Sequence, residues 1–102
     1  MGKGFLSLAT ATILNAVANG YSFGFDIVDI TGMPGGTVYP ALRRLERIGY
    51  LASEWATVGG RKRRTYRLTD SGRKQLEGER SAWREFTNVI GSVLQAEARA
   101  SG

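Results

Sequence analysis

The hydrophobic period of this chain changes twice, and that constrains its fold more than any single motif. Up to Gly49 apolar residues recur at helical spacing. "YLASEWATV" and "RTYRLT" then alternate like strands on either side of Gly59-Gly60, and from Thr69 helical spacing returns almost to the end. A glycine pair between two strand-like runs marks a tight hairpin. The order is therefore three helices, a two-stranded hairpin and a long last helix.

In the first segment Leu6, Ala9, Ile13, Ala16 and Val17 share a face and Gly20 supplies a stop, which predicts a helix over residues 5–19. Phe5, Leu8 and Leu14 fall outside that stripe, an excess that predicts burial against a second copy or another helix. "SFGFDIVDITG" predicts a short second helix, with Ser22 as its N-cap, Phe25, Ile27, Val28 and Ile30 as apolar positions and Gly32 as its stop. The chain then turns through Pro34, Gly35 and Gly36 into a third helix, with Thr37 as N-cap and Pro40 in the first turn. At 100° per residue Val38, Ala41, Leu42, Leu45 and Ile48 gather on one side of it. Gly36, Tyr39, Pro40, Arg43 and Arg47 gather on the other, with Arg44 flanking them. In the last helix, capped by Thr69, Leu76, Trp83 and Ile90 recur every seven residues, with Phe86 and Val93 in step as the second seam position. Glu79 or Arg80 breaks this stripe once, as expected of a short dimerisation helix.

The 102 residues suit one domain, and a 42% apolar content with ten aromatic residues argues against disorder. Net charge is +5 and the pI is near 10.1, but the charge is unevenly placed. Ten Lys/Arg face three Asp/Glu between Gly36 and Lys74, whereas the remainder holds four cations against six carboxylates. An anionic partner is expected at helix three and the hairpin. Arg61, Lys62, Arg63 and Arg64 directly follow the glycine turn; a disordered basic tail would not run at once into Thr-Tyr-Arg-Leu alternation and a capped helix.

Neither Cys nor His occurs, which removes disulfides, thiolate chemistry and a structural zinc site. Without a nucleophile–base pair or a phosphate-cradling loop, no enzyme activity, metal or cofactor is expected. Lys3 followed by "FLSLATATILNAVANG" imitates a targeting segment, but Thr10, Thr12 and Asn15 interrupt its apolar stretch, so an amphipathic helix fits better. Leu6 stands where a myristoylation motif wants Ser or Thr, and no stretch is long enough to span a membrane. A cytoplasmic protein is the expectation.

These elements predict a mainly α fold with a two-stranded β wing. Residues 1–69 form a winged helix-turn-helix domain with its wing at 50–68, and residues 70–102 form a C-terminal dimerisation helix packing with helix one. Helix three is then the groove-entering helix, and the wing cations lie beside it for phosphates.

The sequence also resembles the PadR-type transcriptional regulators, in particular short members with a single C-terminal dimerisation helix. "GGTVYPALRRLERIGYLASEW" is similar to the family's Gly-Thr-Leu-Tyr-Pro-Ala-Leu stretch with its following Arg-Leu-Glu and Gly-Leu. "GGRKRRTYRLTDSGRKQL" is similar to its wing and the start of its last helix. Two positions depart from the pattern: Phe25 stands for the usual Tyr after Gly24, and Thr65 for a common aromatic.

The resemblance implies a dimeric repressor of double-stranded DNA, often released by a small molecule. It places DNA contacts at Thr37, Tyr39, Arg43 and Arg47 of helix three and at Arg61 and Arg63 of the wing. Residue chemistry reaches the same positions and adds Arg44 and Lys62, since a helix N-terminus offers N–H groups to phosphate and Arg makes bidentate contacts to guanine. A two-fold dimer implies an inverted-repeat operator. Trp55 and Tyr66 read as the core of the wing. Leu8, Leu14, Leu76, Trp83, Phe86, Ile90 and Val93 are the dimer or effector candidates; Trp83 serves either as dimer packing or as an aromatic wall for a planar aromatic effector. A winged-helix module that binds protein or RNA without operator choice is the rival reading.

Overall fold

The computed structural model describes residues 6–101. In chain order it contains α1 (Leu8–Ala18), α2 (Gly24–Thr31), α3 (Gly35–Ile48), β1 (Leu51–Val58), β2 (Arg61–Leu68) and α4 (Asp70–Ser101). Phe5, assigned by periodicity to helix one, lies outside the described residues.

Helix α1 starts at an N-cap, Ser7, whose Oγ accepts from the amide of Thr10 at 3.2 Å. It packs against α2, α3, β2 and α4 together. That enclosure meets the second alternative for Leu14, burial against another helix, and corrects its place among the dimer or effector candidates. Its side chain is 0% exposed within one protomer, so α1 is buried over a wider arc than its sequence stripe implied and Leu14 has no area left for a second copy. Leu8, by contrast, is exposed.

Two helix starts also differ from the local signals. Ser22 does not cap α2; its carbonyl accepts from the amide of Tyr66 at 2.8 Å and Phe23 bridges Thr65, so β2 holds this segment extended and the helix begins at Gly24. In α3 the N-cap is Pro34 rather than Thr37, and the amides of Thr37 and Val38 both reach the Pro34 carbonyl. Gly35 and Gly36 thus belong to the first turn, and Pro40 lies inside the helix.

The hairpin pairs Leu51 with Leu68 at its base and Val58 with Arg61 at its tip, leaving Gly59 and Gly60 as a two-residue turn. Their φ values of 57° and 79° are both positive, the geometry that matches the right-handed strand twist and that glycine adopts without a steric penalty. Leu51 and Tyr66 join Ile13, Ile27, Val38, Leu42 and Leu45 in the core. Trp55 does not, and is 62% exposed. It shares a strand face with Leu51 and Ser53, as alternation requires, but the wing has by then passed the edge of the helical body.

At the start of α4 Thr69 caps the helix as expected, its Oγ1 accepting from the Gly72 amide at 3.0 Å and donating to the Gly49 carbonyl at 2.6 Å. Leu76 is only 4% exposed and belongs to the core of its own chain, not to a seam with a partner. The two residues that interrupt the apolar stripe tie α4 to the N-terminal part of the chain: Glu79 accepts from the amide of Leu6, just before α1, at 2.8 Å, and Arg80 donates to Asn15 of α1. From Trp83 through Arg99 every residue is exposed, and the chain extends 63 Å along its long axis against 28 and 21 Å across. No helix among the described residues is long and apolar enough to cross a membrane.

Candidate nucleic-acid interface

Helix α3 is held by Val38, Ala41, Leu42 and Leu45, all buried. Measured around the helix, Arg43 and Arg47 lie roughly 40° apart and opposite this stripe, so the core itself fixes the direction in which they point. Both are exposed, and no ion pair engages either among the described residues.

The flanks of α3 are occupied differently. On one, Arg44 donates to Thr10 Oγ1 of α1 at 3.3 Å, which turns it toward the body and away from the face that Arg43 and Arg47 share. On the other, Glu46 accepts from Ser53 Oγ of β1 at 2.7 Å. Tyr39 lies on this second flank with its ring against α2; a Cβ at Gly24 would sit 2.3 Å from its Cε1. Any larger residue at Gly24 would have to displace the Tyr39 ring, and Tyr39 remains 41% exposed. Thr37 is exposed, but its amide is already engaged by Pro34, leaving its hydroxyl for a partner.

On the wing, Arg61 and Lys62 sit at the tip and are exposed. Arg63 is not at a loose tip. Its guanidinium lies 4.6 Å from the centroid of the Phe25 ring, which links the wing to α2, and Phe25 in turn stacks with Phe23 at 5.8 Å. Arg64, the fourth of the wing cations expected near phosphates, stands opposite Trp55 with its guanidinium 4.7 Å from that ring. A two-residue turn at Gly59-Gly60 dictates this pairing, so the register was the signal that could have found it. Where wing and α3 meet, burial raises the Tyr66 phenol above its usual pKa; Glu46 adds to the rise, and Arg64 and Arg43 oppose it.

The candidate dimer residues separate into two groups. Trp83, Phe86, Ile90 and Val93 are all exposed on the projecting part of α4, and the Trp83 and Phe86 rings stack at 5.5 Å. Leu14 and Leu76 lie in the core. A groove of about 300 Å³ between α1 and α4 is lined by Leu8, Ala11, Asn15, Leu76, Arg80 and Trp83, among others.

Three helices, a glycine-turned hairpin and a projecting last helix define a winged helix-turn-helix protein. The profile of the "Transcriptional regulator PadR-like family" matches residues 13–78, and the chain belongs to that family. It is 47% identical over 55 residues to the transcriptional regulator Rv3488 of Mycobacterium tuberculosis. That match takes in 54% of this chain and 51% of the relative, so the chain spans about half the length of this curated relative. Among solved structures, smu.1704 from Streptococcus mutans superposes with a TM-score of 0.79 at 31% identity, over 93% of this chain and 94% of that one. A PadR family transcription regulator from Clostridium difficile gives 0.76 at 25% identity, over 84% and 97%. The family and these named regulators act in transcription rather than as enzymes.

Proposed function

We propose that the protein is a homodimer that binds an inverted-repeat operator in double-stranded DNA and represses transcription until a small molecule releases it. The observation that carries this reading is the pair Arg43 and Arg47, exposed, free of ion pairs among the described residues and aimed outward by a helix whose opposite side is anchored through buried Val38, Ala41, Leu42 and Leu45. Guanidinium groups held this way suit bidentate contact with guanine O6 and N7 in the major groove. Arg61, Lys62 and Arg63 supply phosphate contacts beside it, and Thr37 and Tyr39 extend the contact at the N-terminal half of α3. In this reading the chain through Thr69 meets DNA and α4 pairs the subunits through Trp83, Phe86, Ile90 and Val93, which otherwise leave a row of large apolar side chains in water. The groove beside Trp83 suits a planar aromatic effector, because one wall is an indole ring and the rest of the lining mixes apolar and polar groups.

Selection of duplexes from a random pool on the purified protein tests the reading. A recovered motif should appear twice, inverted, with its halves one or two helical turns apart. Recovery of no motif, with equal affinity for every duplex, would leave the rival reading of an interaction module without operator choice.

A further inference from the structure

Trp55 is a large aromatic side chain placed in water at a fixed orientation. On the side of the hairpin that leans on α3, Leu51 and Tyr66 are buried at the base and Ser53 Oγ donates its proton to Glu46 Oε2 at 2.7 Å. That leaves the Ser53 oxygen free to accept, and Arg64 Nε donates to it at 3.0 Å. The Arg64 guanidinium carbon also lies over the Trp55 ring, 4.7 Å from its centroid. A continuous chain, Glu46 to Ser53 to Arg64 to Trp55, runs from helix α3 out onto the wing. It engages the Nε of Arg64 and the indole ring, and both residues remain exposed. Lys62 projects from the same strand face one step nearer the tip.

We propose that Trp55 and Arg64 form a second duplex contact, on the α3-facing side of the wing, in which Arg64 meets a backbone phosphate and the Trp55 ring lies against the adjacent deoxyribose. The proposal rests on the duplex-binding reading above and adds a contact surface to it. Its occupant follows from chemistry: a flat apolar ring beside two cations complements a backbone that alternates apolar sugar and anionic phosphate. Glu46 acts as a positioning residue. Through Ser53 it sets the angle of Arg64, so the spacing between the helix α3 contacts and this wing contact is fixed before DNA arrives.

The experiment uses the full chain with Trp83→Phe, so that Trp55 is the sole indole, and a duplex recovered by selection. On titration at low salt, Trp55 should become shielded from acrylamide quenching. In a salt series Arg64→Ala should flatten the slope of log K against log salt by about 0.9 per subunit, and about twice that for a dimer in which both subunits carry the change. Trp55→Ala should weaken binding roughly fivefold, the scale of one exposed cation–aromatic contact, while Trp55→Phe retains most of it. Arg64→Lys keeps the charge but loses the planar seat on Ser53 and Trp55, so it should bind closer to Arg64→Ala than to the parent. If the parent binds duplex but Trp55 stays unshielded and Arg64→Ala keeps the parental slope, this contact is wrong and the duplex reading stands. If the chain without any substitution binds no duplex, both fall. Shielding by an acidic polypeptide but not by duplex also overturns the proposal. The shielding measurement needs no change at Trp55 or Arg64, so a misfolded variant cannot obscure the outcome.

Discussion

Three glycines lie within α4, at 72, 78 and 91, and helix propensity alone says that Ala at any of them adds stability, by up to about 1 kcal/mol. At Gly72 the structure reverses the sign. A Cβ there would sit 2.1 Å from the Tyr50 carbonyl oxygen, 2.9 Å from its carbon and 3.1 Å from Leu68 Cδ2. Reaching even a 3.0 Å contact with that oxygen requires a shift of about 0.9 Å, the difference between 3.0 and 2.1 Å, against backbone rather than a side chain that can swing away. Two bonds fix the junction, Thr69 Oγ1 to the Gly49 carbonyl at 2.6 Å and the Thr69 amide to the Tyr50 carbonyl at 3.1 Å. Overpacking costs about 1–3 kcal/mol, and weakening two such bonds adds up to about 1 kcal/mol each. Offset by the propensity gain, Gly72→Ala should lose about 2 kcal/mol. Gly78, with nothing within 4 Å of its Cβ position, is the control and should gain stability. Urea unfolding at one fixed protomer concentration measures both, as shifts of midpoint at unchanged slope. A Gly72→Ala midpoint at or above that of the parent would refute the reasoning.

Arg44→Ala should lose about 1 kcal/mol of stability or less with its bond to Thr10, and leave operator preference unchanged, whereas Arg43→Ala or Arg47→Ala should cost roughly 1–3 kcal/mol of cognate binding for each base contact removed; anisotropy titrations on cognate and scrambled duplexes separate them. Phe86→Glu with Ile90→Glu should give folded monomers by light scattering and circular dichroism, while Leu76→Glu should unfold the body because it buries a charge in the core. Tyr66 holds its proton to a higher pH when folded than the ordinary tyrosine value of 10.0. Folded and unfolded chains are therefore alike below that pH, and above it stability falls until the folded phenol titrates. Tyr66→Phe should remove this part of the alkaline slope, read as the difference between the two urea midpoints from pH 9 upward.

Features set by a few consecutive residues were legible in the sequence. Val38, Leu42 and Leu45 define a buried stripe at helical spacing, and the outward placement of Arg43 and Arg47 follows from it without knowledge of any neighbour. The Gly59-Gly60 turn and the Thr69 cap are likewise local: the first needs two positive φ angles, the second a hydroxyl at the end of an extended residue. The exposed apolar row from Trp83 to Val93 was legible because no second element of a small domain reaches that far along a long helix.

Other features depended on which segments meet, and only the tertiary structure decided them. Ser22 and Thr37 have the chemistry of N-caps, yet β2 draws the first into an extended bridge and the Pro34 carbonyl starts the helix before the second. Leu14 and Leu76 fall at positions that read as free for a partner, but α1 is surrounded and the first turns of α4 close over it. Trp55 lies on the strand face that alternation assigns to the core and finds no core there, because the wing outruns the helical body. Helical spacing puts Arg44 on the flank of the face that Arg43 and Arg47 share, and only the nearness of Thr10 shows that it turns toward the body. Periodicity states the direction in which a side chain leaves its own element, and the approach of other elements determines what it meets.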